Sequence, residues 1–363
     1  RNIVIGNVND APTFDGGDGV VTTDVWFHDD GADIVTQPDG KILVAGTAAS
    51  PTRFLVARYL SDGSLDSSFG GGDGLYTLPP AGFQQSGSSL TLQADGKILV
   101  AGYFLDGDLD FALLRLNADG TADTSFGGGD GMVTTAINGT EEAYSVTLQA
   151  DGKILLAGVS NSDFAVVRYN TDGTLDTSFN STGKVTTDLG GPAYAAAYTM
   201  VVQSDGKIVL AGEGGNYDLA IVRYNSDGSL DTSFGSGGIV LQHATSGFEA
   251  LRGLLIDTDG KLVAAGYSGD DFVLLRYNSN GTLDTTLNGT GTVVTNLGAG
   301  ADRANDVALQ GDGKIVAIGR THNGSNYDVA VVRYNTDGTL DTTFGGSGVV
   351  TTAIGTSYDA GLA

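Results

Sequence analysis

The sequence predicts an all-β protein, a β-propeller of six four-stranded blades, and three observations carry that prediction. A D-G-K turn recurs six times, with its aspartate at Asp39, Asp95, Asp151, Asp205, Asp259 and Asp312, in steps of 56, 56, 54, 54 and 53 residues. A spacing this regular is the mark of a repeat architecture. Within each copy the apolar residues fall into short runs, as in VTLQ, KILLAG, FAVVRYN and KVTTDL of the third copy, bounded by D-G, N-S or S-T-G. No helix of useful length is visible.

The elements of one copy follow in order from Gln149 to Gly183, QADGKILLAGVSNSDFAVVRYNTDGTLDTSFNSTG. The run that leads into it gives a first strand, and D-G then turns the chain into a second, KILLAG. N-S precedes the third, FAVVRYN, and S-T-G precedes the fourth, KVTTDL. Four antiparallel strands per repeat at this period define a propeller blade. The strands alternate weakly between apolar and polar residues, as expected when both faces of a blade are covered by neighbouring blades.

Radial repetition lets a chain of 363 residues exceed the roughly 250 to 300 residues of a single core, since each blade needs only its neighbours. Most of the 57 glycines fall in the turns of the repeat and signal tight hairpins. Cysteine is absent, which excludes a disulfide framework and a thiolate metal site. The segment FDGGDGVVTTDV from Phe14 is a copy of the fourth strand, and FGGSGVVTTAI from Phe344 is the same piece again. Residues 14–363 therefore read as the propeller, six repeats of about 54 residues. Either Val20 to Thr23 closes six blades and the tail is spare, or a seventh blade follows Tyr358; six blades are expected.

The D-G-K-I-L-V-A-G and R-Y-N-x-D-G-x-L-D-x-x-F-G blocks resemble the delta-60 repeat family of bacterial propeller-type repeats, over residues 14–363. The fifth copy departs most, with Asn280 for the turn aspartate and Leu287 for phenylalanine. The resemblance implies a propeller in an extracellular bacterial setting and implies no reaction. Residues 1–13 precede the repeat and read as a linker or the end of another domain. The segment N-V-N-D-A-P-T-F, Asn7 to Phe14, resembles the closing motif of the cadherin-like domains strung along large bacterial surface and secreted adhesins. In that family an Asn-Asp pair donates oxygens to calcium shared with neighbouring domains. The resemblance thus implies Asn9 and Asp10 as ligands, calcium as a cofactor, and neighbouring domains of the same chain as partners. Asn7 stands where the family often has aspartate, and the stretch is one residue short. The chain opens at Arg1 without an initiating methionine and stops within the pattern at Ala363, which reads as a fragment of a larger protein.

A formal net charge of −25, from 43 acidic and 18 basic residues, disfavours nucleic acid and anionic lipid as partners. No apolar run reaches the length of a membrane span, so direct membrane insertion is not expected. Twelve of the basic residues belong to the repeat itself: the lysine after each D-G, and Arg58, Arg115, Arg168, Arg223, Arg276 and Arg333.

The recurring turn N-T-D-G-T-L-D, Asn170 to Asp176 in the third copy, invites comparison with a calcium loop. With Asp172 at the fifth position, the first position falls on Arg168, a cation where a ligand should be. The turn is therefore read as structural, with glycine at positive φ and Asn and Asp capping local amides. The arginine lies in a strand buried on both faces and must be paired there. Its natural partner is the aspartate of L-D, at Asp66, Asp123, Asp176, Asp231, Asp284 and Asp341, one lock per blade.

In a four-stranded blade the D-G-K and N-x-D-G turns share one face, and the connections that vary between copies share the other. Recognition is expected on the varied face. Its aromatic residues Trp26, Phe27, Phe83, Tyr103, Tyr144, Tyr194 and Phe248 read as apolar plates, with the carboxylates Glu142 and Glu249 beside them, suited to a glycan or a surface protein. A glycan-cleaving enzyme would need two carboxylates roughly 5 to 10 Å apart; Glu141, Glu142, Glu213, Glu249 and Asp302 lie on this face, and no local motif selects a pair. His28, His243 and His322 show no metal-ligand spacing, and G-x-S-x-G is absent. The reading is a non-catalytic recognition or adhesion module of a large extracellular or surface protein. A structural spacer and a glycan-cleaving enzyme are the alternatives.

Overall fold

The computed structural model describes residues 20–25, 28–49, 52–78, 85–192, 194–245, 247–298, 300–354 and 359–362. Among these residues there is no helix, and the chain forms six four-stranded antiparallel blades, each with its strands in chain order. Blade 1 is β1 (His28–Thr36), β2 (Ile42–Ala49), β3 (Arg53–Tyr59) and β4 (Leu75–Thr77); blade 2 is β5 (Gln85–Leu92), β6 (Ile98–Asp106), β7 (Asp108–Leu116) and β8 (Met132–Thr135). Blade 3 is β9 (Glu141–Leu148), β10 (Ile154–Ser160), β11 (Asp163–Tyr169) and β12 (Lys184–Thr187); blade 4 is β13 (Ala196–Val202), β14 (Ile208–Glu213), β15 (Leu219–Tyr224) and β16 (Ile239–Gln242). Blade 5 is β17 (Glu249–Ile256), β18 (Leu262–Ser268), β19 (Asp271–Tyr277) and β20 (Thr292–Thr295); blade 6 is β21 (Arg303–Leu309), β22 (Ile315–His322), β23 (Tyr327–Tyr334) and β24 (Val349–Thr352). The repeat is thus an all-β six-bladed propeller fold.

Two compact units divide the chain within blade 3, blades 1 and 2 with most of blade 3 in one and blades 4 to 6 in the other. Within each unit the second and third strands explain the weak alternation of the sequence. All seven positions of β10 are buried, and six of seven in β11, so successive residues on both sides of these strands are mostly apolar. In the first unit Phe54, Val56 and Phe69 of blade 1 meet Val100, Leu114 and Leu116 of blade 2. In the second, Ile221 and Phe234 of blade 4 meet Leu262 and Leu275 of blade 5, and Phe272 and Leu274 of blade 5 meet Ile315 and Val332 of blade 6. Each such leucine, isoleucine or phenylalanine contributes about 1.5–3 kcal/mol on leaving water.

The first strand of every blade carries a β-bulge at the same place. One residue there has no partner on the second strand: Ala32, Ser88, Tyr144, Tyr198, Arg252 and Asn305 in blades 1 to 6. Opposite each bulge stands a glycine, Gly46, Gly102, Gly158, Gly212, Gly266 or Gly319. A Cβ on any of them would lie 1.7–2.0 Å from a first-strand carbonyl oxygen. The glycine at the end of the second run of the sequence, after alanine in blades 1 to 5 and after Ile318 in blade 6, is therefore the bulge signal, and a bulge re-aims the side chain it carries.

On the opposite face the structure brings together the repeated arginines and aspartates. Nε of Arg58, Arg115, Arg168, Arg223, Arg276 and Arg333 donates to Oδ2 of Asp66, Asp123, Asp176, Asp231, Asp284 and Asp341 at 2.7–2.8 Å. The D-G-K lysine adds a second cation to the same oxygen, as in Lys153 to Asp176 at 2.8 Å. Within each unit the guanidinium also reaches the turn of the next blade: Arg223 Nη1 donates to the Ser279 carbonyl at 2.6 Å and Arg276 Nη1 to the Thr336 carbonyl at 2.8 Å. Gly173 takes φ = 90° at the N-T-D-G turn, where Asp172 Oδ1 accepts from the Thr174 amide at 2.9 Å, the geometry of a capped turn.

The two copies of the VVTT piece have different fates. Val349–Thr352 is the fourth strand of blade 6, paired with β23 from Val332 to Val329, so the tail is not spare. Val20 to Thr23 forms no strand. Val21 is buried against Val44, Leu55 and Ala57 of blade 1, and Tyr59 donates its hydroxyl to Thr23 Oγ1 at 2.8 Å. Tyr169 makes the same contact with Thr135 of β8. The expectation that Val20 to Thr23 supplies the closing strand is corrected, because the amides and carbonyls of β23 are already paired with β24.

Candidate functional site

The varied connections of blades 4 to 6 bring three arginines and several tyrosines to one place. Tyr198 and Arg252 are bulge residues of β13 and β17, and the Arg252 guanidinium lies 3.5 Å from the centre of the Tyr198 ring. Arg303 at the start of β21 stands 4.4 Å over Tyr267 of β18. Arg320 of β22 is the cross-strand partner of Arg303 and stands 4.9 Å over Tyr327. Glu213, at the end of β14, accepts from the Tyr198 hydroxyl at 3.3 Å.

The electrostatics of the cluster follow from partial burial. Burial first, and then the nearby charge of Arg303, lower the pKa of Arg320 below the ordinary guanidinium value. Burial raises the Glu213 carboxyl above its usual range, against the Tyr198 hydrogen bond and the charges of Arg252 and Arg303. Burial likewise pushes the Tyr198 phenol up. Like charges directly opposite each other on paired strands are destabilising. Arg303 and Arg320 accept that arrangement in a chain of net charge −25 with only six basic residues outside the repeat framework. An anionic group between them would turn the repulsion into attraction, and guanidinium with tyrosine offers a forked donor beside a flat ring.

The expected plates and carboxylates divide into several groups. Trp26, Phe27 and Phe83 lie outside the described residues, as do Asn9 and Asp10. Tyr103, Glu142 and Tyr144 come together in the first unit: Tyr144, the bulge residue of β9, donates to Glu142 Oε2 at 2.8 Å. The Tyr103 phenol is raised by burial and then by the Glu142 charge, with Ser86 as its hydrogen-bond partner. Tyr194 and Phe248 are exposed, and the Phe248 ring meets Tyr217 edge to face at 4.5 Å between centres. Tyr217 holds φ = 64°, a left-handed conformation uncommon for an aromatic residue.

Among the described residues, Glu249 differs from the other expected ligand-binding residues in being fully buried, and so are Glu141 and Asp302, at matching places where the chain enters a first strand. Each accepts backbone amides from the connection before it. Glu141 Oε1 takes Asn138 N at 2.8 Å, Glu249 Oε1 takes Ala244 N at 3.0 Å and Thr245 N at 2.8 Å, and Asp302 Oδ2 takes Leu297 N at 2.7 Å. These carboxylates hold their loops in shape beneath the surface.

Tyr198, Tyr217, Arg252, Tyr267, Arg303, Arg320 and Tyr327 were legible in the sequence only as members of varied loops. The signal that locates two of them is the bulge glycine, from which Tyr198 and Arg252 can be counted back across the hairpin. Arg303 and Arg320 carried a different signal, since they are arginines outside the repeated R-Y position.

The fold and the repeated turn-and-lock face define a propeller built from a short sequence repeat. Segments 37–69, 93–126, 149–179, 203–234, 258–287 and 310–344, more than half the chain, match the β-propeller domain of unknown function DUF5122. The chain belongs to that family. No curated protein matches the sequence significantly. Among solved structures, a protein from Lactobacillus plantarum is similar at 14% identity and a TM-score of 0.55, over 88% of this chain and 83% of that one. The PQQ-bound aldose sugar dehydrogenase of Streptomyces coelicolor is similar at 14% identity and a TM-score of 0.45, over 88% and 93% of the two chains. The first likeness bears on the fold alone, and the second carries no argument.

Proposed function

We propose that the chain is a non-catalytic extracellular recognition or adhesion module of a bacterial surface or secreted protein, and that its varied loops bind a glycan bearing carboxylate groups. The observation that carries this reading is the convergence of Arg252, Arg303 and Arg320 on Tyr198, Tyr267 and Tyr327 in a strongly acidic chain. Tyrosine rings supply flat apolar area to sugar faces, and forked guanidinium donors supply the carboxylate contact. The net charge of −25 repels a densely charged polymer at long range, but over more than about 8 Å that field is screened at physiological salt. The fitting ligand therefore carries separated acidic groups on an otherwise neutral chain. Burial of Glu141, Glu249 and Asp302 under their own loops supports binding over hydrolysis. The resemblance of Asn7 to Phe14 to a cadherin-like closing motif supports an adhesin setting, with neighbouring domains of the same chain as partners and with calcium, held by Asn9 and Asp10, at the junction.

Incubation of the protein with neutral, uronate-bearing and sulfated polysaccharides tests this, scoring both retention and chain shortening. Retention of the uronate-bearing glycan without shortening is expected, with loss of roughly tenfold or more in affinity for Arg303→Gln, since a hydrogen bond to a charged group contributes about 1.5–3 kcal/mol. Shortening of any chain would replace the reading with a glycan-cleaving enzyme. Retention of none, or equal retention by Arg303→Gln, would remove the glycan.

A further inference from the structure

We propose that Asp218, His243 and Glu249 form a binding site for one divalent transition-metal ion of the zinc type, distinct from the arginine cluster and from any calcium at the N-terminal junction. The three residues come from the turn before β15, the step after β16 and the start of β17. One ligand atom from each lies within 4.8 Å of the others. His243 Nε2 is 2.6 Å from Asp218 Oδ1, and Nδ1 is 3.4 Å from Glu249 Oε2. Asp218 is almost fully buried and Glu249 completely so, and apart from the imidazole no hydrogen-bond donor meets Asp218 Oδ1 or Glu249 Oε2. Buried carboxylate oxygens need a cation or a donor. The only side chain reaching both among those described is the imidazole.

His243 sits one step beyond the last rung of the β15 and β16 pairing, opposite Asp218. At the matching place blade 5 has Asn296, whose amide donates to Asp271 Oδ1 at 2.7 Å, and blades 2 and 6 have Ala136 and Ala353. Blades 2, 5 and 6 thus place an amide donor or a methyl group there, and blade 4 alone among these four has a metal-ligating ring. The ring is 67% exposed, so rotation about its side-chain bonds can direct one nitrogen between the carboxylates. Three protein ligands with an open side towards solvent are the donor set of a zinc site that keeps a position for water or a ligand. Tyr217 and Phe248 flank the position, each adjacent in sequence to one of the carboxylates.

Calorimetric titration of the untagged protein with zinc chloride at neutral pH tests the site, using wild type, His243→Asn and Glu249→Gln. Wild type is expected to bind one zinc ion in its tightest class. His243→Asn, the side chain blade 5 uses, is expected to lose that ion or bind it roughly a hundredfold more weakly while melting in chelator as wild type does. Its exposed position lets it carry the test if Glu249→Gln fails to fold. A zinc-dependent rise in melting temperature should appear in wild type and vanish in His243→Asn. Absence of stoichiometric zinc in wild type, or undiminished binding by His243→Asn, would mean that the residues form only an ion pair between protonated histidine and two carboxylates, and would overturn the proposal.

Discussion

Gly102→Ala is expected to destabilise the protein by about 3 kcal/mol or more, read as a fall in the urea midpoint at unchanged slope. The added methyl carbon would lie 1.7 Å from the Ser86 carbonyl oxygen, with the Phe54 ring 3.1 Å away on the other side. A flexible side chain could swing aside from such a clash, but a backbone carbonyl in a paired strand cannot. Relief requires β5 to move off β6 at the bulge, which breaks the hydrogen bonds on either side. Gly311→Ala is the control, because nothing lies within 4 Å of its Cβ and its φ is not positive. That change should be neutral or stabilise by up to about 1 kcal/mol through the unfolded chain. A Gly102→Ala protein with a wild-type midpoint would show that the bulge is not the rigid feature its geometry implies.

This glycine also marks where the sequence stopped being legible. The period, the D-G turns and the apolar runs give the strands because each is a local signal repeated six times, and errors in one copy are corrected by the others. The same repetition pairs Arg168 with Asp176 without any knowledge of distance, since an arginine in a doubly buried strand must find an acid that recurs with it. Functional side chains have the opposite statistics. Tyr198, Arg252 and Asn305 occupy one structural position with three different chemistries, so the bulge glycine locates the position while no repeat signal says which copies are functional. The contact of Arg303 with Tyr267 joins blades 6 and 5 and depends on how strands meet across the unit. Glu249 reads as an accessible carboxylate because it follows the exposed Phe248, yet alternation at a strand entry turns it inward, where it caps Ala244 and Thr245. The exposure of a single residue at the start of a strand is set by the direction of its side chain, which neither period nor composition encodes.

Arg168→Met is expected to cost about 3–5 kcal/mol, because it keeps the length of the side chain and leaves Asp176 buried without its closest guanidinium. Arg168 Nε donates to Asp176 Oδ2 at 2.7 Å, and Lys153 stands on the same oxygen at 2.8 Å. An unchanged melting temperature would sink the assignment of the lock. The same face sets the response to acid. At Asp66, Asp123, Asp231 and Asp284 burial acts to raise the carboxyl pKa. Hydrogen bonds from the serine or threonine two residues on and from the lysine, together with the paired arginine, outweigh it and hold each group well below the usual carboxylate range. A carboxyl with a depressed folded pKa binds fewer protons in the folded than in the unfolded state, so unfolding takes up protons as the pH drops. The stability it contributes is fully present above the ordinary aspartate value of about 4 and is lost as the pH falls towards the folded value. Urea midpoints should therefore hold level above about pH 5 and decline steeply from there to about pH 2, with several aspartates of the repeat acting in the same direction. A flat profile across that range would mean that the locks are made equally well by the unfolded chain, and that the turn face owes its rigidity to the glycines and apolar strands alone.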